Sequence, residues 1–235
     1  MAPVWRRIYK RVKRGARFLR PLLPRVLQAH PWAARDDTSA FRRREYRSYQ
    51  AYVAHQRRKL GRLPRQMLAE YDVRYREALR DRLARGGIVR AGSSVLCLAA
   101  RIGTEVKAFL DLGCFAVGID LNPGERNPYV LVGDFHQLQF AAESVDVVFT
   151  NSLDHAYDLE RVLKEVHRVL KPGGVLVAEL GLGEREGGKP NYYEALAWPD
   201  VNTMVERVVA HGFAARGRRP IDYPWRGEQI AFARC

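Results

Sequence analysis

The sequence predicts an α/β fold in which a mostly parallel sheet of seven strands has helices on both faces. From residue 95 onward, short apolar runs of strand length alternate with segments whose apolar residues recur at helical spacing. A turn and a helix join the first two runs, which is the βαβ arrangement of parallel sheets. Ahead of this unit we predict a basic, aromatic-containing helical extension over residues 1–63.

Positive charge is concentrated in that extension. Residues 1–65 contain 19 basic residues (Lys and Arg) and 3 acidic residues (Asp and Glu). The rest of the chain contains 21 basic and 23 acidic residues. Residues 4–27 read as a basic amphipathic helix that Pro21 and Pro24 end or bend. Such a helix suits an anionic membrane surface, which we favour. It would also suit nucleic acid, an organellar presequence, or packing against its own domain.

A second basic helix is predicted over residues 40–60, where tyrosines interleave with arginines. An aromatic stripe of this kind, which includes Tyr49 and Tyr52, is predicted to pack into the core.

Pro64 is well placed to begin a longer helix that ends near residue 85, before Gly86-Gly87. This helix opens the main domain, residues 64–235. The three cysteines form neither a disulfide framework nor a metal-ligand spacing. Cys97 is predicted to be a buried apolar residue, and a reducing, cytoplasmic compartment fits this cysteine content.

The unit from Val95 to Asp120 has the layout of a nucleoside-binding site. A strand, a turn containing Gly103, a helix and a second strand follow each other, and the second strand ends in Asp120. Turn amides then face a ligand, and the Asp120 carboxylate can accept hydrogen bonds from both ribose hydroxyls, with Asn122 beside it. The alternative is that Asp120 caps its turn. A single glycine in the turn argues against a dinucleotide pyrophosphate cradle.

The rest of the chain continues the alternation. Further strands are predicted over residues 129–132, 145–149, 175–180, about 214–221 and about 228–233, with helices over about 159–170 and 201–211. The end of the fourth strand, residues 150–155, lies where open α/β sheets bind ligands. A polar loop over residues 181–198 contains Tyr192 and Tyr193. It either closes over a substrate or is an ordinary linker.

The order of these motifs resembles the class I S-adenosylmethionine (SAM)-dependent methyltransferases, with a methyltransferase type 11-like, Rossmann-like domain over roughly residues 64–235. The segment from Leu163 to Glu179, a helix ending in Arg-Val-Leu-Lys-Pro-Gly-Gly and then a strand, closely resembles theirs. Their first motif usually has an acid and several glycines, where this chain has Cys97, Ala99 and Arg101.

The resemblance implies SAM as the cofactor. Because helices ahead of the first motif often cover the substrate pocket in this family, it also makes Tyr49, Tyr52 and Gln56 candidates for lining that pocket, as the alternative to an aromatic stripe in the core. By the same resemblance, Asp120 holds the ribose, and Asp134 with Phe135 holds the adenine. Glu105 contacts the amino group of SAM, and Arg101 either contacts the carboxylate of SAM or points to solvent. The cofactor-binding residues predicted in this way are Ala99, Arg101, Gly103, Glu105, Asp120, Asn122, Asp134, Phe135 and Asn151.

Methyl transfer requires a well-placed acceptor and, for an oxygen acceptor, a base. His155 and Asp154 are the candidate bases. The alternative for His155 is to fill the cofactor pocket. The sequence Asn-Ser-Leu-Asp-His after the fourth strand differs from the Asn-Pro-Pro-Tyr type that holds a planar amine. No cluster of metal ligands is apparent, so a metal-assisted reaction is not predicted.

Three functions remain open. We adopt methyl transfer, on oxygen, to a small-molecule, glycan or lipid-linked acceptor, by a cytoplasmic protein in peripheral contact with a membrane. The second is an RNA-directed methyltransferase that grips phosphates with its basic extension, although nucleic acid is the less favoured partner. The third is a non-catalytic SAM-fold protein, which the loss of glycines at Ala99 and Arg101 suggests.

Overall fold

The computed structural model describes residues 30–33 and 40–235, and the chain divides into two compact units, Met1–Pro31 and Trp32–Cys235. The helix predicted over residues 4–27, with its membrane contact, lies outside the described residues. Among those described, no helix has the length and apolarity needed to cross a membrane. The second unit begins well before residue 64, so residues 40–63 are part of it. A separate role for the extension stays a prediction.

The described chain contains a seven-stranded sheet and a two-stranded sheet. Their strands are β1 (Arg42–Arg43), β2 (Ser94–Leu98), β3 (Phe115–Asp120), β4 (Val130–Val132), β5 (Val145–Thr150), β6 (Leu170–Gly181), β7 (Leu196–Ala197), β8 (Phe213–Ile221) and β9 (Gly227–Arg234). The large sheet has the order β4-β3-β2-β5-β6-β9-β8. In this sheet β9 alone runs in the opposite direction to the other six strands, which confirms the mostly parallel sheet predicted.

Helices cover both faces of the large sheet, as predicted. The α-helices of the described residues are α1 (Tyr49–Gly61), α2 (Arg65–Gly86), α3 (Thr104–Asp111), α4 (Leu159–Val169) and α5 (Val201–Val209). Successive residues of a strand point to opposite faces. On β2, Val95 and Cys97 pack with α2 and α3, whereas Leu96 and Leu98 pack with α4 and α5. Cys97 is thus the buried apolar residue that was predicted.

The prediction of a single helix over residues 40–60 is wrong for its first part. Helix α1 begins after Ser48, whose side-chain oxygen accepts a hydrogen bond from the Ala51 N–H at 3.2 Å. Upstream of this cap, β1 pairs with β7 instead of continuing a helix. Arg44 also donates to the Glu194 carbonyl at 2.7 Å. The segment before α1 is therefore hydrogen-bonded to β7 and to the loop that precedes it.

Helix α2 is tied to the sheet by a buried ionic network. Glu179 on β6 accepts hydrogen bonds from Arg82 Nε at 2.9 Å and Nη2 at 2.7 Å. The Tyr75 hydroxyl and the Gln229 amide donate to the same carboxylate, at 2.6 and 2.9 Å. The Glu179 side chain is completely buried. Four donors thus compensate for taking this charge out of water.

Candidate active site

A cleft lies at the carboxyl edge of the central strands, with helix α1 forming one wall. Its volume is about 560 Å³, part of it open to solvent, which is a typical size for a small-molecule site. The residues lining it are Tyr52, Gln56, Lys59, Leu60, Ala99, Arg101, Ile119, Asp120, Leu121, Asn122, Gly133, Phe135, Ser152 and His155. Sequence reasoning had singled out eight of these positions from motifs in distant parts of the chain.

The turn after β2 contains three residues with positive φ angles, a conformation that favours glycine, but only one of the three is a glycine. Ala99 and Arg101 have φ angles of +53° and +45°, in the left-handed region that disfavours residues with a Cβ atom. Gly103 has φ of +82°, and a Cβ atom there would come within 2.8 Å of Tyr129 Cβ. Glycine is therefore required at position 103, whereas positions 99 and 101 carry backbone strain.

Asp120 ends β3 and lines the cleft. Its Oδ2 accepts a hydrogen bond from the Arg101 backbone N–H at 3.0 Å, and its Oδ1 accepts one from the Asn122 N–H at 2.7 Å. A carboxylate offers about four acceptor positions, so about two are left for donors in the cleft. This acceptor capacity fits the two hydroxyl groups of a ribose.

Phe135 lines the cleft, but Asp134 does not. The Asp134 carboxylate accepts hydrogen bonds from the Tyr49 hydroxyl and from the backbone and ring N–H groups of His136, the last two at 2.9 and 2.8 Å. Burial alone would raise the pKa of Asp134, but the hydrogen bonds from His136 and Tyr49 hold it below its usual value. Tyr49, a predicted substrate residue, thus contacts Asp134. Sequence reasoning missed His136 because a single histidine there forms no spacing pattern.

Glu105, Asn151 and Gly103 do not line the cleft either. Glu105 is buried at the start of α3 and accepts a hydrogen bond from Asn151 Nδ2 at 2.9 Å. The same amide nitrogen lies 3.0 Å from the Tyr75 hydroxyl oxygen. Burial raises the pKa of Glu105 to about 7. The cofactor-binding roles of these residues stay predictions.

His155 lines the cleft just after β5 and is 8% exposed. Its Nδ1 lies 2.9 Å from the Tyr193 carbonyl oxygen and 3.1 Å from Gln56 Oε1. Both neighbours are acceptors, so Nδ1 carries the proton and Nε2 accepts from Lys59 Nζ, 2.8 Å away. Burial, followed by the charges of Lys59 and Arg101, holds the pKa of His155 well below its usual value. The imidazole is therefore neutral.

Lys59 is a cleft residue that sequence reasoning missed. It stands in the run Arg57-Arg58-Lys59, which was taken as part of the basic face of the helix. A usable signal was the spacing, because Tyr52, Gln56 and Lys59 are four and three residues apart and share one face of α1. Burial and the charge of Arg101 lower the pKa of Lys59 to about 8.

Asp154, the other predicted base, does not line the cleft. Its Oδ1 lies 3.9 Å from His155 Nε2, and its carboxyl group hydrogen-bonds that of Glu194. Burial raises the pKa of both carboxyl groups, and the charge of Asp154 adds to the effect at Glu194. Asp154 and Glu194 thus form a carboxyl pair behind His155.

The predicted substrate residues separate into two groups. Tyr52 and Gln56 line the cleft, and the buried Tyr52 hydroxyl donates to the His155 carbonyl at 2.9 Å. Tyr192 and Tyr193 do not line it, and both rings pack on His55 of α1, with centroids 4.9 and 5.1 Å away. The loop that carries them therefore packs on α1. Within the described residues, no group of three or more His, Cys, Asp and Glu is arranged to hold a metal ion.

Comparison with known proteins finds similarity to methyltransferases in each case. A family model described as a methyltransferase domain matches residues 96–178. A demethylmenaquinone methyltransferase of Corynebacterium efficiens is 34% identical over 177 residues, which cover 61% of this chain and 75% of that protein. A malonyl-[acyl-carrier protein] O-methyltransferase 1 of Coxiella burnetii is 47% identical over 49 residues, covering 20% of this chain and 17% of that protein. The chain spans less than half the length of several of the curated relatives that it matches.

A solved structure shares the fold over most of the chain. The 1,6-didemethyltoxoflavin-N1-methyltransferase of Burkholderia thailandensis, solved with 1,6-didemethyltoxoflavin and S-adenosylhomocysteine bound, has a TM-score of 0.61 at 16% identity. The match covers 86% of this chain and 98% of that one. At this identity the match shows the fold and leaves the acceptor open.

Proposed function

Because the chain belongs to the class I SAM-dependent methyltransferases, we propose that it is an enzyme that transfers a methyl group from SAM to an oxygen atom of a small-molecule, glycan or lipid-linked acceptor. SAM supplies an electrophilic methyl group together with its leaving group. The protein must hold the acceptor in line and remove its proton.

Asp120 carries the cofactor part of the proposal. It has acceptor positions left in the cleft, next to the strained turn at Ala99 and Arg101. Phe135 adds an apolar wall for the adenine on the same side. The adenosyl group is therefore proposed to lie across the ends of β2 and β3, with the methionyl part directed toward the region near Arg101.

The opposite side of the cleft supports an acceptor that loses a proton. Tyr52, Gln56 and Lys59 of α1 face His155 there, and each of these side chains carries a polar group. The names of two relatives indicate a related acceptor range, since one acts on demethylmenaquinone and the other is an O-methyltransferase of malonyl-[acyl-carrier protein]. A lipid-like or carrier-linked acceptor is consistent with both names, and the name of the O-methyltransferase supports oxygen as the attacked atom.

Calorimetric titration with S-adenosylhomocysteine tests the cofactor site. In Asp120→Ala the ribose hydroxyls lose two hydrogen bonds to a charged group, each worth roughly 1.5–3 kcal/mol, so Kd should rise about 100-fold or more. Asp120→Asn keeps one acceptor oxygen and should show a smaller loss. Asp81→Ala, an exposed position on α2, is the matched control and should bind as the parent does. Unchanged affinity in Asp120→Ala would refute the assignment.

The acceptor class is tested with methyl-labelled SAM. The full chain is incubated with lipid, glycan, small-molecule and RNA fractions of a cell extract, and with demethylmenaquinol and malonyl-acyl-carrier protein as defined acceptors. We expect label in a non-nucleic-acid fraction, and none with Asp120→Ala. Label in RNA alone would favour the RNA-directed alternative. Binding of S-adenosylhomocysteine without transfer to any fraction would favour the non-catalytic one.

A further inference from the structure

Lys59 is the basic side chain that lines the cleft from α1, directly opposite the end of β5. We propose that the Lys59 amine removes the proton from the methyl acceptor and that His155 positions this amine. The inference rests on the proposed function, because it concerns an acceptor that must lose a proton. It also replaces His155, the base expected from the sequence, by a residue that the sequence did not single out.

The hydrogen bonds of His155 leave its ring no free basic atom. Nδ1 carries a proton shared between the Tyr193 carbonyl and the Gln56 amide oxygen, and the Nε2 lone pair faces Lys59 Nζ at 2.8 Å. A neutral lysine amine has two N–H bonds and one lone pair. When one N–H donates to His155 Nε2, the lone pair remains available to a proton donor in the cleft. His155 therefore fixes the orientation of the Lys59 amine.

The surroundings of Lys59 lower its pKa, which shifts its protonation equilibrium toward the neutral amine. Partial burial disfavours the ammonium, and the positive charge of Arg101 across the cleft acts in the same direction. Three carboxylates, Asp120, Asp154 and Glu194, act in the opposite direction, and neutral His155 adds no charge. The balance gives a pKa of about 8, close to the value at which a general base is most effective.

The proposed step balances without a further reactant. The acceptor O–H bond breaks and its proton binds the Lys59 amine, which becomes an ammonium. The acceptor oxygen forms a bond to the transferred methyl group, and the electron pair of the broken S–C bond stays on sulfur. The Lys59 ammonium then releases its proton to water through the open side of the cleft.

Competitive acetylation measures the basicity of Lys59 without any acceptor. The full chain, with and without S-adenosylhomocysteine, is treated with a trace of isotope-labelled acetic anhydride between pH 6 and 11, and the modified peptides are quantified by mass spectrometry. The reactivity of Lys59 should rise with a midpoint near pH 8. Lys164, exposed on α4, serves as the internal control against which the midpoint of Lys59 is compared. A Lys59 midpoint near that of Lys164 would overturn the inference.

The role of Lys59 as a base is tested by measuring turnover of the acceptor that the labelling experiment identifies. Since a general base contributes about 100-fold or more, Lys59→Met should lower kcat by at least that factor and abolish the rise of kcat through pH 8. Its affinity for S-adenosylhomocysteine should not change. Lys59→Arg stays charged and should be equally slow, whereas Lys164→Met should match the parent. Undiminished kcat in Lys59→Met, or a loss of cofactor affinity, would overturn the proposal.

His155 is tested by two variants that differ in one acceptor atom. His155→Leu removes the acceptor for Lys59, so kcat should fall and the pH profile should change. His155→Gln offers an amide oxygen in place of Nε2 and should recover much of the rate. Equal defects in both variants would contradict a positioning role. If the parent binds S-adenosylhomocysteine but methylates nothing, the proposed function fails, and the acetylation result still decides whether Lys59 has the basicity inferred here.

Discussion

Ala99→Gly should stabilise the protein, although it shortens a side chain beside the cleft. A residue with a Cβ atom pays roughly 1–2 kcal/mol for the left-handed backbone that Ala99 adopts at φ of +53°. Glycine removes this strain but adds about 0.5–1 kcal/mol of backbone entropy to the unfolded chain. The free energy of unfolding should therefore rise by about 0.5–1 kcal/mol, and Tm by about 1–4 °C for a chain of this size.

The neighbouring residue provides a matched control, measured by urea unfolding without cofactor. Ala100 is buried, is not in the left-handed region, and its N–H donates to the Ile119 carbonyl at 3.0 Å. Ala100→Gly loses a buried methyl group and gains only unfolded-state entropy, so it should destabilise by about 1–2 kcal/mol. If Ala99→Gly destabilised the protein as Ala100→Gly does, the turn would not hold the strain that its φ angles indicate.

Two further predictions concern buried charges. Glu179→Leu leaves the Arg82 guanidinium buried without its counterion and should lower the free energy of unfolding by about 3–5 kcal/mol, whereas Asp81→Leu, at the exposed pair with Arg80, should have no measurable effect. A double variant Arg82→Leu/Glu179→Leu that is no more stable than Glu179→Leu would argue against a coupled pair. Glu105 has a pKa raised from 4.5 to about 7, so between these pH values the folded state keeps a proton that the unfolded state releases. Stability should thus fall as pH rises through this window, by on the order of 3 kcal/mol, and Glu105→Gln should remove that part of the slope in pH-dependent urea titrations.

The sheet and its helices could be predicted because their signals are local. Val95 to Leu98 form a continuous apolar run, and Pro64 and Gly87 flank helix α2 where the sequence indicated. The beginning of α1 could not be predicted in the same way. Arg42–Arg43 has its strand partner about 150 residues later in the chain. Such a long-range pairing overrides the local helical pattern, and the residues next to Arg42 and Arg43 in the sequence give no signal of it.

The candidate site divides in the same manner. Ala99, Arg101 and Asp120 occupy motif positions set by a single βαβ unit, and all three line the cleft. Lys59 depends on a contact with His155, 96 residues away, and the two residues that precede it, Arg57 and Arg58, are exposed. Asp134 follows the family pattern in sequence but is already engaged by Tyr49, which comes from α1. The sequence thus placed Tyr52 and Gln56 of α1 at the cleft, but it did not predict the side-chain pairings of α1 with His155 and Asp134.

Helix α1 contributes Tyr52, Gln56 and Lys59 to the cleft, while the strands of the large sheet are built entirely from later residues. A fragment starting at residue 64 would contain those strands and Asp120, but its cleft would lack the wall that α1 forms. If the proposed function holds, the residues of α1 that face the cleft are therefore the ones expected to influence which acceptor is methylated.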